Sequence, residues 1–400
     1  MGGGFAGIKT ALTLAQSHNT SREVTLISDK THFEYHARLY HVLAGHTPLE
    51  VCVPLSEIFV HTGVRIVEDK IEKIDLEKQV VLGKENKQYA YDYLVMALGS
   101  ENSYYDTPGL KELSYSVNSI ESTVKLNKHL HDIFSLCKVD DEDMKNCSAH
   151  VVVVGGGATG CEVAGSLAVY ARQIAKKHGI DESYVTIDLI HSGNRLMSVL
   201  PEPVSAQIKQ RLYNLGVNIF LNRKVMKEEI ENVYLKDMEM KSKTLIWCAG
   251  VKSNSLITEI KGISLDKRGK VIVNNMMQVE PYKNVYVAGD IASTHYSGMA
   301  QTAFQDGTYI GKAILAQLQN KILSPYTQTA PSYALPLGEK WAMSALGPLT
   351  LRGYGGWLIR RYFDLKAFLT ILPWQKALKA FSSEKLLCEY CPICCELVVE

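Results

Sequence analysis

Two stretches of the chain repeat one order of polar and apolar positions, a glycine-rich turn followed by an amphipathic helix and a β-branched strand. One runs from Gly2 to Ile27; the other begins 153 positions later and runs from Gly155 to Ile190. Ahead of the second copy, Val151 to Val154 is an all-valine run. It predicts a strand buried on both faces, as parallel strands beneath helices are. Gly155-Gly156-Gly157-Ala158-Thr159-Gly160 follows, and Cys161, Ala164, Leu167, Ala168 and Ala171 then mark one face of a helix. The first copy has Gly2-Gly3-Gly4-Phe5-Ala6-Gly7 and an apolar stripe at Ile8, Ala11, Leu12 and Ala15, without a leading strand. In a doubly wound sheet that strand would be central, so the first unit is read as truncated in preference to damaged.

Other apolar runs complete the plan. Tyr91 to Gly99 and Leu245 to Gly250 each predict a strand ending in a glycine turn near a cofactor. Val285 to Ala288 predicts a third strand running into Gly289-Asp290, with a helix from Ala300 to Gln317 after it. Pro325 to Pro336 holds three prolines among polar spacers and reads as a linker. The fold class expected is α/β, with two Rossmann-like nucleotide-binding domains (three-layer ββα) and a C-terminal amphipathic helical segment.

A turn of the form G-x-G-x-x-G works through its backbone. The first glycine permits the turn, the second lets a pyrophosphate approach the main chain, and the third lets helix pack on strand. One copy is weak evidence; two, each with a helix and a strand at the right distance, point to two nucleotide sites. The strand ends that ordinarily carry an acid for the ribose deviate. The first reads Leu26-Ile27-Ser28-Asp29, which leaves Asp29 as the acid one place late. The second reads Leu189-Ile190-His191-Ser192 with Arg195 close behind, a set that would accept a 2′-phosphate, so NADPH is as plausible as NADH.

Composition narrows the class. Of 400 residues, 46% are hydrophobic and 21% charged, the balance of a globular protein of two or three domains. A formal charge of +1 gives no overall reason to expect nucleic acid. Five of nine cysteines, Cys52, Cys137, Cys147, Cys161 and Cys248, are scattered singly, which fits a reducing compartment better than a disulfide framework. No signal-peptide pattern and no apolar run of the ~20 residues a spanning helix needs are seen. A cytoplasmic protein, peripheral on the inner face of the membrane, is expected.

With these residues in view, the chain resembles the two-dinucleotide flavoprotein reductases of the pyridine nucleotide-disulfide oxidoreductase superfamily, and among them the type II NADH:quinone dehydrogenases. The resemblance runs from Gly2 to about Phe381. It rests on the two glycine turns, Ala97-Leu98-Gly99-Ser100, Glu162, Trp247-Cys248-Ala249-Gly250, Val287-Ala288-Gly289-Asp290 and Ala300-Gln301-Thr302-Ala303-Phe304-Gln305. It implies FAD at the first turn, with Gly2, Gly4, Phe5, Ala6, Gly7, Asp29, Ala97, Gly99, Gly289 and Asp290 around it. NAD(P)H is implied at Gly155, Gly157, Gly160, His191 and Gly250. Glu162 would face the nicotinamide side or relay a proton, and Gln301 with Gln305 would border a quinone. The domains implied are 1–125 with 275–330 for FAD, 126–274 for NAD(P)H, and a C-terminal segment 331–400. Where Asp306 stands the family usually has glutamine, and where Ser28 and His191 stand it has an acid. The reaction implied passes a hydride from NAD(P)H to flavin and two electrons on to a quinone.

Disulfide reductases of the superfamily carry a close cysteine pair that His36 to Leu49 lacks, so dithiol exchange is not expected. A sulfide:quinone or other small-acceptor reductase using Cys161, Cys248 or a later cysteine stays as an alternative, beside a flavin-binding redox sensor or scaffold. From Gly353 to Phe381, aromatic and leucine residues mix with Arg360, Arg361, Lys366, Lys376 and Lys379 against the one acid Asp364. That basic amphipathic profile predicts contact with a membrane surface, or else a helical cap or homodimer contact. Four thiols at Cys388, Cys391, Cys394 and Cys395 follow. Adjacency of the last two makes a closed tetrahedral zinc site awkward, and no metal ligands are assigned.

Overall fold

The computed structural model describes residues 1–16, 22–136, 149–347 and 349–382. Cys137, Cys147 and the four cysteines from Cys388 to Cys395 lie outside the described residues, so the readings placed on them are not addressed below.

In chain order, helix α1 (Phe5–Ala15) is followed by strand β1 (Thr25–Ser28), the short helix α2 (Leu39–Leu43), β2 (Arg65–Glu68) and β3 (Leu94–Met96). Strand β1 pairs in parallel with β2, Leu26 opposite Ile66. Between β1 and β3, where a leading strand would run, stand Met1 and Gly2. The Met1 ammonium donates to the Val95 carbonyl at 2.8 Å, Ala97 N–H to the Met1 carbonyl at 3.0 Å, and Gly2 N–H to Ile27 at 2.8 Å. Two residues thus bridge the halves of the first sheet.

The second unit is complete. Strand β4 (His150–Val154) leads through the glycine turn into α3 (Ala158–Lys177), and β5 (Thr186–Ile190), β6 (Val217–Phe220) and β7 (Thr244–Trp247) follow. Their order is β6-β5-β4-β7, all parallel. Val151, Val152 and Val153 have no exposed surface, as the all-valine run predicts. The stripe of Cys161, Ala164, Leu167, Ala168 and Ala171 is buried too; its small side chains let α3 lie close on the sheet.

Strand β8 (Tyr282–Val287) pairs in parallel with β3, Tyr286 opposite Val95, and carries the chain back to the first unit. Helix α4 (Ala300–Leu318) then packs on α1 at backbone range. A Cβ at Gly307 would run into the Ala6 carbonyl, and one at Gly311 would lie 2.6 Å from the Thr13 side chain. Phe5 closes this contact, edge-on to Phe33 and Phe304 with centroids 4.9 and 5.2 Å away.

The expected linker from Pro325 to Pro336 ends in a strand instead. Tyr333–Pro336 forms β9, the edge of an antiparallel meander with β10 (Ala342–Leu346) and β11 (Leu349–Gly353). An edge position tolerates Pro336, whose missing N–H can face outward.

Helices α5 (Tyr354–Ile371) and α6 (Trp374–Ser382) close the described chain. The basic amphipathic profile is corrected at two positions of α5, Arg360 and Asp364, which turn inward. The buried stripe of α5 is Gly356, Arg360, Asp364, Phe368 and Ile371, whereas Tyr354, Leu358, Tyr362 and Leu369 are exposed. Arg360 and Asp364 point inward because charged and carbonyl partners await them there. Arg361 lies 3.9 Å from the centre of the Phe381 ring, and Lys376 pairs with Glu57 at 2.6 Å. Lys366 and Lys379 are left exposed on a surface that is more apolar than basic.

Candidate active site

Both glycine turns are held by the same contacts. A Cβ at Gly2 (φ +100°) would run into the Ala97 carbonyl, and one at Gly7 into the carbonyl of Gly2. At the second turn Gly155 (φ +125°) meets the Cys248 carbonyl in that way, and Gly160 meets Gly155. The middle glycines behave differently. A Cβ on Gly4 or Gly157 would find nothing within 4 Å. These two open cradles lie where a pyrophosphate would approach. Gly4 and Gly157 are also the N-caps of α1 and α3, and no side chain caps either helix. Neither first turn carries an acid, so the outward N–H groups, Phe5 and Ala6 among their residues, are disposed to take an anion. The residues present fit a dinucleotide at each turn.

The turns are joined at their mouths. The strand leaving Gly99, Ser100–Asn102, pairs antiparallel with the strand leaving Gly250, Val251–Ser253. Gly99 has open space beside it, while Gly250 is covered by Tyr105, whose hydroxyl donates to the Ala249 carbonyl at 3.4 Å. Ser100 donates to an Asp290 oxygen at 2.7 Å. A Cβ at Gly289 would sit 3.5 Å from Ala6 and 3.8 Å from Ala303, so this loop lies where α1 and α4 begin. Buried Asp306 takes the Gly289 N–H at 3.0 Å and the Tyr326 hydroxyl at 2.5 Å. Burial, opposed by those hydrogen bonds, pushes its carboxyl up.

Gln301 and Gln305 share one face of α4 but hold protein. Gln301 Oε1 accepts from Ser332 N–H at 3.1 Å and Gln305 Oε1 from Thr329 N–H at 3.2 Å. Their carbonyls clamp the segment that leads into β9.

The ribose positions differ from each other. Ser28 is buried against Gly3, and exposed Asp29 lines a charged cleft of about 340 Å³ with Glu68, Asp69, Lys70, Lys84 and Lys87. His191 supports its own turn, its Nδ1 accepting from Gly156 N–H at 3.1 Å. Arg195 donates to the Ser198 and Leu200 carbonyls at 2.6 and 2.7 Å, and Arg223 pairs with Asp237 at 3.0 Å. Arg195 is thus engaged with the carbonyls of its own loop, while the Arg223 pair lies at the surface.

Glu162, near the start of α3, ends a run of buried charge that the sequence did not disclose. Arg360 Nη1 lies 3.7 Å from Glu162, and Arg360 Nε lies 3.1 Å from Asp364. Arg360 Nη1 also donates to the Ala334 carbonyl at 3.0 Å, and Nη2 donates to Ala37. Asp364 accepts from the Tyr35 hydroxyl at 2.9 Å and stands 3.9 Å from Arg38, which pairs with Glu50 at 2.7 Å. Since Asp364 already neutralises Arg360, Glu162 faces a nearly neutral pair at longer range. Burial then wins over the Arg360 charge, and the Glu162 carboxyl is pushed up to about 7. Tyr35, Arg38 and Arg360 were not anticipated as site residues. The signal was an Arg and an Asp four positions apart on one helix, in register with Gly356 and Phe368.

Cys161 and Cys248 are held as thiols. Burial pushes both up, Cys248 to about 12. Cys161 is buried, whereas Cys248 is partly exposed.

Comparison with known proteins agrees with this geometry. The family described as pyridine nucleotide-disulphide oxidoreductase matches residues 1–307. A type II NADH:quinone oxidoreductase of Haemophilus influenzae is 25% identical over 88% of this chain and 89% of its own. One from Staphylococcus haemolyticus is 23% identical over 93% and 94%. Among solved structures, NDH2 from Plasmodium falciparum in complex with NADH superposes with a TM-score of 0.84 at 18% identity, covering 94% of this chain and 95% of that one. Sulfide:quinone oxidoreductase from Aquifex aeolicus gives 0.78 at 20% identity, over 98% and 97%. Two open glycine cradles on one pair of joined units, together with a family match that spans both, lead to one conclusion: the chain belongs to the pyridine nucleotide-disulphide oxidoreductase family.

Proposed function

We propose that this chain is an FAD-dependent oxidoreductase that takes a hydride from NADH and delivers two electrons to a quinone. The observation that carries the proposal is the pair of cradles at Gly4 and Gly157, identical in their contacts and joined by the strands that leave Gly99 and Gly250. Residues 1–125 and 275–330 make the FAD domain, 126–274 the NADH domain, and 331–400 the C-terminal segment. Bound at the first turn, FAD would supply the hydride-accepting and electron-donating chemistry that side chains lack. Gly2, Gly4, Phe5, Ala6 and Gly7 would hold its pyrophosphate, with Asp290, Gly289, Ala97 and Gly99 toward its middle and Asp29 toward the ribose. Gly155, Gly157 and Gly160, supported by His191 and Gly250, would hold NADH. Engagement of Arg195 with the Ser198 and Leu200 carbonyls favours NADH over NADPH.

Glu162 holds or yields a proton at its carboxyl near neutral pH, since burial brings it to about 7. Gln301 and Gln305 offer amide donors to a quinone oxygen from a helix whose carbonyl contacts fix their rotamers. Burial of Cys161, which pushes its thiol up, weighs against the sulfide reading. An anaerobic titration tests the function. NADH should bleach the bound FAD faster than NADPH does, and a quinone should restore the colour. Slow bleaching by NADH, bleaching by sulfide in its place, or recovery with a disulfide acceptor alone, would overturn it. Gln301→Ala should slow reoxidation by quinone by roughly tenfold, the loss of about 1.4 kcal/mol of positioning, while the rate of bleaching by NADH is unchanged in stopped flow.

The apolar side chains exposed on α5 and α6 support a peripheral place on a membrane, which we assign to the cytoplasmic face. Exposed Tyr354, Leu358, Tyr362 and Leu369, with Trp374 and Leu378 on α6, would enter the headgroup layer beside Lys366 and Lys379. Among the described residues no helix is long and apolar enough to cross a membrane. Leu358→Glu combined with Trp374→Glu should weaken flotation with anionic vesicles by about tenfold or more, given ~1.5–3 kcal/mol per buried side chain. If wild type does not float but elutes as a homodimer that the two changes dissociate, the exposed face is a dimer contact.

A further inference from the structure

At the outer end of the buried charges, His41, His46 and Glu50 bring three ligand atoms within 4.8 Å of one another. They come from one short stretch, the last turn of α2, the loop after it, and the one-turn helix Pro48–Glu50. His41 Nδ1 lies 3.2 Å from Glu50 Oε2, and His46 Nδ1 lies 3.3 Å from Glu50 Oε1. The imidazoles face each other with centroids 4.4 Å apart. A tetrahedral site with bonds of about 2.0–2.1 Å has edges of roughly 3.3–3.4 Å between its ligand atoms. Each imidazole nitrogen lies at that length from a Glu50 oxygen, but from different oxygens, so one carboxylate oxygen serves both only after the carboxylate turns.

The surroundings favour ligands in their metal-ready states. Glu50 is 7% exposed at the floor, whereas His41 and His46 are 26% and 47% exposed at the mouth, so a cation could enter from solvent. Arg38 donates to Glu50 Oε2 at 2.7 Å, the outer contact that orients a ligating carboxylate. Arg38 Nη2 also lies 3.4 Å from His41 Nδ1, within reach of its lone pair. If Arg38 donates to both atoms, that lone pair and the carboxylate oxygen confront each other, and a cation between them would relieve the contact.

We propose that His41, His46 and Glu50 form a site for one divalent cation of the zinc class, with a solvent ligand completing a tetrahedron. Two imidazoles and a carboxylate are a donor set that such an ion takes while keeping one open position. Arg38, Arg360 and Arg361 oppose a dication by charge, with Asp364 the nearby acid against them, so micromolar affinity is expected. The buried run from Glu50 through Arg38, Asp364 and Arg360 connects the site to Glu162.

The test uses untagged, FAD-loaded full-length protein stripped with chelator, with Cys388, Cys391, Cys394 and Cys395 changed to Ser so that the tail cannot contribute. Cobalt(II) should bind at one equivalent with tetrahedral d–d absorption and no thiolate charge-transfer band, and zinc should displace it. His46→Ala, at a half-exposed position that should not disturb folding, should weaken binding by more than the roughly 10–100-fold that loss of an outer partner costs. His41→Ala should do the same. Absence of saturable binding, octahedral cobalt spectra, or affinity unchanged in His46→Ala would each overturn the proposal.

Discussion

Gly157→Val is expected to raise the KM for NADH about 100-fold, equivalent to about 2.7 kcal/mol, while FAD stays bound. Gly4→Val should do the converse and release FAD during gel filtration. The physical basis is that neither side chain would touch protein, because a Cβ at either position meets nothing within 4 Å. Both glycines have negative φ, −92° at Gly4 and −82° at Gly157, so valine adds little backbone strain. The branched side chain would instead fill the volume reserved for a pyrophosphate. Gly160→Val is the contrast, since its Cβ would collide with the Gly155 carbonyl and damage the fold as well as the site. Flavin content, KM for NADH and thermal midpoint of the three variants separate these outcomes. Flavin loss from Gly157→Val, or flavin retention by Gly4→Val, would reverse the assignment of the two turns.

Arg360→Ala is expected to destabilise the FAD-loaded protein by roughly 3–5 kcal/mol, the usual cost of removing one partner from a buried ion pair. It would strand Asp364, 2% exposed, against the Tyr35 hydroxyl and leave Glu162 without a nearby cation. Arg360→Met with Asp364→Leu should recover most of the loss, because the unpaired charge goes with its partner. The pH dependence has a definite sign. Glu162 has a folded value raised above its unfolded one, so its contribution is full below the ordinary carboxyl range and is lost as pH rises through about 7. Glu162→Gln should remove that loss, and Arg360→Ala should move it to higher pH. Thermal unfolding at several pH values between acid and weakly alkaline buffer measures both. A flat difference between wild type and Glu162→Gln across that range would show that Glu162 is ionised throughout.

The local pattern carried a large part of this protein. The helix expected from Ala300 to Gln317 spans Ala300–Leu318, and the run Val151–Val154 lies within a buried parallel strand. The glycine turns were readable because their function rests on main-chain geometry, which glycine spacing alone imposes. Strands β3 and β8 were placed correctly by apolar runs that lead to Gly99 and Gly289. The C-terminal segment was misread for a physical reason. Helical periodicity reports which residues share a face but does not say which face turns inward. Arg360 and Asp364 looked like surface charges until Glu162, Tyr35 and two backbone carbonyls were found around them.

Chemistry within one turn of chain was therefore legible: two cradles, their helices, and the strands between them. Contacts between distant segments were not. Gly99 and Gly250 are 151 positions apart, yet the strands leaving them pair side by side. Arg360 reaches Ala37 and Glu162 from a helix at the other end of the chain. Such meetings depend on long-range packing and on the desolvation that follows from it, and no short window of residues encodes either.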